Sequence, residues 1–505
     1  MQLMLEHVSY TYPDSPLSLF TDVSVAFQAG WTGVVGANGA GKTTLLRLAA
    51  AELMPQTGRV VAPGDVLYCP QSTATVPEAL EEFALDWTAD AGRLRSLLGI
   101  GDDWPWRFET LSHGERKRLQ LAVVLWRRPY VLAVDEPTNH LDAESTRLVV
   151  DALKGFDGIG LIVSHDRDLL DTLVGRCAFL GSGGLQLRPG TYSEAKAQVE
   201  IERRSAIAER ASAKREVGRL RAEEARRRTE ADRAGALRSR ARVDPGDRDA
   251  KARIGLAIVT GKDGQAGRLS AQMQGRMRRA QARLGEAVVE KVIGGDGIRL
   301  PEAASHRREV ARLSASEVRL CTDRVLLIPE LSVGPHDRIA IAGRNGAGKS
   351  TLIRRVAEMT LVEASAVLDI PQELDATTVA ALHQEVLSLP AETRGEVLSL
   401  VTRLGSYPER ILAGDALSPG EARKLMIAMG VIRQPQLILL DEPTNHLDVV
   451  ATEALEDALA EYGGALVFVS HDTRFTRRLA RTWWHLELDA EGVTRVRTDI
   501  AGDKA

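Results

Sequence analysis

The alternation of apolar and polar positions changes character along the chain, and each change predicts a different element. Near the N-terminus LMLEHVSYTY and FTDVSVAF alternate with period two and predict strands. In WTGVVGANGAGKTTLL an apolar run predicts a strand that turns through glycines into a helix. YVLAVDEP and LILLDEP set short, wholly apolar runs ahead of paired carboxylates, which predicts buried strands. From about Thr191 to about His306 the pattern is different. No proline falls between Gly190 and Asp244, and Ala, Glu and Arg crowd the stretch, predicting one helix of ~50 residues and ~75 Å. VDPGDRDAKARIG, Val243 to Gly255, predicts a turn-rich bend. Beyond it Leu269, Met273, Met277, Ala280, Leu284 and Val288 recur every three or four residues, one face of a second helix lying back along the first. Together they predict a helical hairpin.

Composition narrows the class. At 505 residues the chain is expected to hold two to four domains, each with its own core. Charged residues are 27% and aromatic residues 4% of the chain, as in a globular protein with polar helical surfaces. No apolar run approaches the ~18 residues of a membrane span. Met1 to Gly30 lacks the basic-then-apolar order of a signal peptide, so a cytoplasmic protein is expected. Cys69, Cys177 and Cys321 have no metal-ligand spacing and predict neither a zinc site nor a disulfide framework.

Charge separates the hairpin from the rest. The chain carries −4 overall, yet Thr191 to Val310 holds 28 Lys and Arg against 18 Asp and Glu. The surplus gathers at and after the bend, where Arg242, Arg248, Lys251, Arg253, Lys262 and Arg268 lie. A basic tip on an acidic body is an electrostatic footprint for a polyanion such as nucleic acid. A solvated coiled-coil arm would carry similar charges, and the stretch alone leaves both readings open.

The candidate chemistry lies outside the hairpin. Gly36, Gly39, Gly41, Lys42 and Thr43 fit G-x-x-x-x-G-K-[ST] between an apolar strand and a helical pattern. Glycines at that spacing let backbone N–H groups turn inward around phosphates, the lysine reaches the β and γ oxygens, and the hydroxyl can bind Mg²⁺. Asp135 at its strand end can hold the Mg²⁺ through water, and Glu136 can polarise an attacking water. Gln71 in LYCPQ, LSHGE at Leu111 to Glu115, and His165 in LIVSHD are weak signals singly. Their order recurs: Gly343, Gly346, Gly348, Lys349 and Ser350, then Gln372, LSPGE at Leu417 to Glu421, Asp441 and Glu442, and His471. Four of these elements repeat at an offset of 306 or 307 residues, which marks a duplicated domain.

On these residues the chain resembles the ATP-binding cassette superfamily, with GANGAGKTT and GRNGAGKST as Walker A, AVDEP and LLDEP as Walker B, and LSHGE and LSPGE as the signature. It looks most like the ABC-F branch, in which two cassettes on one chain are joined by a charged helical linker; the paired DEPTNHLD, Asp135 to Asp142 and Asp441 to Asp448, is characteristic of that branch. The resemblance implies an α/β fold of two P-loop cassettes, 1–190 and 315–505, joined by a hairpin linker, 191–314, with a basic tip at about 243–268. It implies a Mg²⁺-dependent ATPase whose cassettes close head to tail. One ATP would lie among Tyr12, Gly36, Asn38, Gly39, Gly41, Lys42, Thr43, Thr44, Gln71, Asp135, Glu136 and His165, facing Ser418 and Gly420. The other would lie among Gly343, Asn345, Gly346, Gly348, Lys349, Ser350, Thr351, Gln372, Asp441, Glu442 and His471, facing Ser112 and Gly114. Catalysis falls to Glu136, Glu442, His165 and His471, and Mg²⁺ to Thr43, Gln71 and Asp135 and to Ser350, Gln372 and Asp441.

Some positions depart from the family pattern. Tyr12 stands where an aromatic stacks on adenine, or it is a core tyrosine; the second copy offers only Cys321, Thr322 and Asp323 there. His113 and Pro419 replace signature glycines, a change expected to slow hydrolysis while leaving the backbone donors in place. Gln71 and Ser112 are 41 residues apart, too close for the arm of housekeeping ABC-F translation factors, and Pro245 to Arg268 looks similar to the linker tips of actinobacterial self-resistance members. The resemblance therefore implies ribosome protection from antibiotics, with the linker entering from the exit-tRNA site towards the peptidyl-transferase centre. Its partners would be 23S rRNA, through Arg242, Arg248, Lys251, Arg253, Lys262 and Arg268, and peptidyl-tRNA. No membrane partner and a monomer with internal cassette pairing are expected. Ile254 to Val259 would approach the drug or pack the hairpin's own end. A drug-independent factor for stalled ribosomes and an exporter's ATPase subunit remain as alternatives.

Overall fold

A computed structural model of the chain describes residues 2–13, 18–139, 141–181, 184–238, 262–286, 298, 300, 304–321, 324–412, 417–445, 447–489 and 492–500. It divides into two compact units, Met1–Ala195 with Val292–Ala505, and Lys196–Lys291. The first unit holds two α/β cassettes. In the first, the parallel strands Val66–Cys69, Val131–Asp135, Ile159–Val163, Gly30–Gly36 and Arg176–Gly181 lie side by side in that order, and Gly184–Pro189 closes the edge antiparallel. Every residue of Val131–Asp135 and Ile159–Val163 is buried, because helices cover both faces of a parallel sheet. The alternating N-terminal runs form a separate antiparallel sheet, Phe20–Gln28, Gln2–Tyr10 and Thr57–Val61, whose inward side chains Leu3, Leu5, Val8 and Phe27 join the core.

The second cassette repeats the order. Val367–Ile370, Leu437–Asp441, Ala465–Val469, Arg338–Gly343, Thr482–Leu488 and Val493–Ile500 occupy the matching places. Its sheet continues into Arg324–Ile328 and Ser316–Cys321. The duplication extends to register, since Tyr68 pairs with Ala133 and Asp369 with Leu439. Ala311–Leu313 pairs with Leu331–Val333, so strand pairing of the second cassette starts inside the stretch expected as linker. In both cassettes the phosphate-loop strand, Gly30–Gly36 or Arg338–Gly343, lies inside the sheet where the strand order reverses. Such a switch point opens a crevice at the carboxyl ends of the strands.

The described residues of the second unit are helical. The chain is helical over Tyr192–Arg238, 47 residues or about 70 Å, and over Lys262–Glu286. Val217 and Leu220 on one helix pack with Met277, Ala280 and Leu284 on the other, so these three positions of the apolar stripe read from the sequence form a seam between the two helices. The expected bend, Val243 to Gly255, the run Ile254 to Val259, and Val288 lie outside the described residues. Among the described residues no helix is long and apolar enough to cross a membrane.

Candidate active site

Each phosphate loop ends in a helix whose first residue is the motif lysine, Lys42–Ala49 and Lys349–Glu358. The residues before them, Gly41 and Gly348, hold φ of 98° and 99°, where L side chains are strained. A Cβ on Gly41 would also fall 2.8 Å from Phe20. Lys42 is buried, and its Nζ donates to the carbonyls of Gly36 at 2.8 Å and Ala37 at 3.1 Å. Lys349 donates likewise to Gly343 at 2.8 Å and Arg344 at 3.3 Å, and also to Asn345 Oδ1 at 3.3 Å. Burial lowers the pKa of both lysines.

The carboxylates stand where their strands end. Asp135 Oδ2 accepts from the Thr43 hydroxyl at 2.7 Å and from the Tyr68 hydroxyl at 3.1 Å, and Asp441 accepts from the Ser350 hydroxyl. Glu136 and Glu442 follow with φ of 46° and 49°, a sparsely populated region for a residue with a Cβ. Strain of this kind gathers at functional sites. Each glutamate is held by its histidine: Glu136 Oε2 accepts from the His165 N–H at 3.2 Å, with Oε1 3.1 Å from His165 Nε2. The second pair repeats this at 3.2 Å and 3.3 Å between Glu442 and His471. Burial, and then the Asp135 charge, pushes the Glu136 pKa up to about 8; burial pushes that of Glu442 up to about 7.

A cleft of about 2020 Å³ brings the first set of residues together. Tyr12, Asn38 to Thr44, Gln71, Asp135, Glu136 and His165 line it from the first cassette, and Ser418, Gly420 and His471 from the second. Tyr12 is 38% exposed, its ring edge-on to Tyr10 and its hydroxyl 2.9 Å from Thr44 Oγ1, so it is no core residue. Ser418 caps the helix Pro419–Ile432 reciprocally with Glu421, as Ser112 caps His113–Trp126 with Glu115. Backbone N–H groups at such helix starts suit a phosphate. Pro419 has no N–H, so the expectation that the backbone donors survive holds for His113 and fails for Pro419; the donors of that turn begin at Gly420.

Gly343 to Thr351, Gln372, Ser112 and Gly114 do not line this cleft. Gln372 is exposed, with its carbonyl bonded by Arg423. At the second phosphate loop Arg344 reaches across to Glu144 of the first cassette, 2.8 Å apart. Cys321 is exposed, and Thr322 and Asp323 lie outside the described residues.

Several contributors were not singled out by sequence reasoning. Asp448, at the end of the second DEPTNHLD, accepts from Asn38 N–H of the other cassette at 3.0 Å and from buried Lys424 at 3.0 Å. Recurrence of that octet was the available signal. Lys117 and Arg423, equivalent in the repeat, brace the strand ends by donating to the carbonyls of Asp135 and Glu442 at 3.3 Å and 2.5 Å. Of the expected rRNA contacts, Arg242, Arg248, Lys251 and Arg253 lie outside the described residues, and Lys262 and Arg268 fall within the helix Lys262–Glu286.

Comparison with known proteins agrees with this architecture. The family model described as ABC transporter matches residues 20–139 and 328–445. The tylosin resistance ATP-binding protein TlrC of Streptomyces fradiae is 32% identical, over 97% of this chain and 98% of its own length. The ribosome protection protein VmlR of Bacillus subtilis (strain 168) is 28% identical, over 99% of this chain and 89% of its own. A solved structure of the RNase-L Inhibitor shares the fold, with a TM-score of 0.61 at 17% identity, covering 97% of this chain and 90% of that one. Fold and site thus define an ATPase built of tandem ATP-binding cassettes. The chain belongs to the ABC-F family.

Proposed function

We propose that this ATPase protects ribosomes from antibiotics. ATP would be bound between the first phosphate loop and the second signature turn, and between the second loop and the first turn. The observation that carries this reading is the single cleft shared by Lys42, Glu136, Ser418 and Gly420. Asp135 Oδ1 and Asp441 Oδ1 are buried without hydrogen-bond partners among the described residues. Each can meet a cation beside Thr43 or Ser350, and no cluster of three or more His, Cys, Asp or Glu among the described residues forms a cage. That sparse oxygen set fits Mg²⁺, which takes one or two protein ligands with phosphate oxygens and water. Bound there, the ion would neutralise charge on the transferring phosphate.

Glu136 and Glu442 would take the proton of the attacking water, with pKa values raised towards neutrality as a general base requires. His165 and His471 hold those carboxylates in place. Closure would carry the linker with it, because the first turn of the helix Tyr192–Arg238 is held by both cassettes. Asp171 accepts from the Ser193 N–H at 2.7 Å, and Arg474 Nη1 donates to Ser193 Oγ at 3.2 Å. The linker, entered from the exit-tRNA site, would reach 23S rRNA with its basic residues and displace drug near the peptidyl-transferase centre. Hydrolysis then resets the cassettes and releases the protein into the cytoplasm. ATP can drive this only if open and closed states bind the ribosome unequally.

Glu136→Gln with Glu442→Gln tests the proposal. Hydrolysis is expected to fall at least ~100-fold, while ATP makes the protein pellet with ribosomes. A doubly substituted protein that binds ATP yet stays in the supernatant at low salt overturns it.

A further inference from the structure

The helices that follow the two histidines meet. Arg167–Leu173 of the first cassette faces Thr473–Leu479 of the second, and Asp168 Oδ1 accepts from Arg474 Nε at 2.6 Å. Asp168 and Arg474 are equivalent positions at the 306-residue offset of the repeat, so the internal twofold axis of the duplication passes between them. Across it runs one arm without a counterpart. Arg167, only 6% exposed, donates from Nη2 to Glu456 at 2.7 Å and to Asp472 Oδ2 at 3.2 Å. The position equivalent to Arg167 is Thr473, whose hydroxyl donates to Asp168 instead.

Asp472 is the residue after His471. Its Oδ1 caps the second helix by accepting from the N–H groups of Arg474 and Phe475, both at 2.9 Å, which fixes the chain where His471 leaves its strand. His471 in turn grips Glu442. A charge from the first cassette therefore holds the carboxylate that sets the second cassette's histidine, while no arginine at the repeat position does the reverse.

We propose that Arg167 is a positioning residue acting in one direction, making hydrolysis at Glu442 depend on the placement of the first cassette. This rests on the ATPase chemistry and is independent of the ribosome. The full chain is compared in two backgrounds, Glu136→Gln to read the second site and Glu442→Gln to read the first. Arg167→Ala is expected to lower kcat at least ~10-fold at the second site with KM unchanged, to leave the first site within ~2-fold, and to be partly rescued by Arg167→Lys. Because Arg167→Ala strips a partner from buried Glu456, Asp472→Asn provides a second reading: Asn still caps the helix but loses the charge that Arg167 holds. It is expected to cause the same selective loss. Equal losses at both sites, or no loss at the second, from either folded variant overturn the proposal.

Discussion

At the first site Asp135 accepts hydrogen bonds from Thr43 and from the phenol of Tyr68. At the second site Asp441 accepts from Ser350, and the residue in Tyr68's register position is Asp369, a carboxyl whose pKa is raised by burial and then by the charge of Asp441. The sites also differ beside the phosphate loop: Tyr12, just past the strand Gln2–Tyr10, lines the first cleft, whereas the second cassette has exposed Cys321 at the end of Ser316–Cys321 and Arg324 Nη1 3.4 Å from the Gly346 carbonyl. Backbone and motif residues have stayed alike while the side chains around them diverged. Two sites built on one plan thus have different neighbours, a phenol beside Asp135 and a carboxyl beside Asp441, and are expected to differ in what they hold most tightly, the base at one and the cation at the other.

Tyr12→Ala attacks that contrast where it is widest. Stacking of a base on an aromatic ring contributes about 1–3 kcal/mol, so ATP affinity at the first site is expected to fall roughly 5- to 150-fold. Cys321→Ala is expected to change the second site less than ~2-fold, since a small exposed thiol offers no stacking face. Titration of a fluorescent ATP analogue in the Glu136→Gln and Glu442→Gln backgrounds separates the two. Equal losses from both substitutions would erase the distinction.

Asp369→Asn probes the cation side. Removing a negative charge near Asp441 is expected to raise the Mg²⁺ concentration for half-maximal hydrolysis at the second site by roughly threefold, a modest Coulomb effect. The first site, which has Tyr68 there, should be untouched. A magnesium titration of phosphate release checks this, and an unchanged requirement would place Asp369 outside the ion's field.

These differences were not legible in the sequence for a physical reason. The duplicated cassettes, the strand-end carboxylates and the apolar seam of the linker all follow from local periodicity and spacing, which survive in one dimension. Leu269 to Leu284 announces a helix face by itself, and Gly41 announces a left-handed turn before a helix. Arg167, Asp168 and Arg474 announce nothing, because in a list of residues they look like the charges of any exposed helix. Only their meeting across 306 residues removes Arg167 from solvent. Tyr68 and Asp369 are likewise ordinary strand positions until sheet register sets them beside the motif aspartates. The strain at Glu136 and Glu442 belongs to the backbone and leaves no mark on residue type.

The finest contrast is acid–base. The Glu136 pKa is pushed up to about 8 and that of Glu442 to about 7, because Asp135 is the second cause at the first site and adds to burial, whereas Lys349 is the second cause at the other and offsets it. A general base works ionised, so kcat/KM for each site alone should rise with pH and level off, the second site at a pH about one unit lower than the first. The sign for stability is opposite. Both carboxyls hold their protons more tightly folded than unfolded, so their contribution is full below the ordinary glutamate range and is lost as pH rises through about 7 and then about 8. Without nucleotide or divalent cation, the melting temperature should therefore decline from the ordinary glutamate range up to about pH 8; Glu442→Gln should lessen the decline only below about 7, whereas Glu136→Gln should lessen it throughout and abolish the part between about 7 and 8. Melting curves at closely spaced pH values check the order; a reversed order would mean that Lys42 outweighs Asp135 in the field at Glu136.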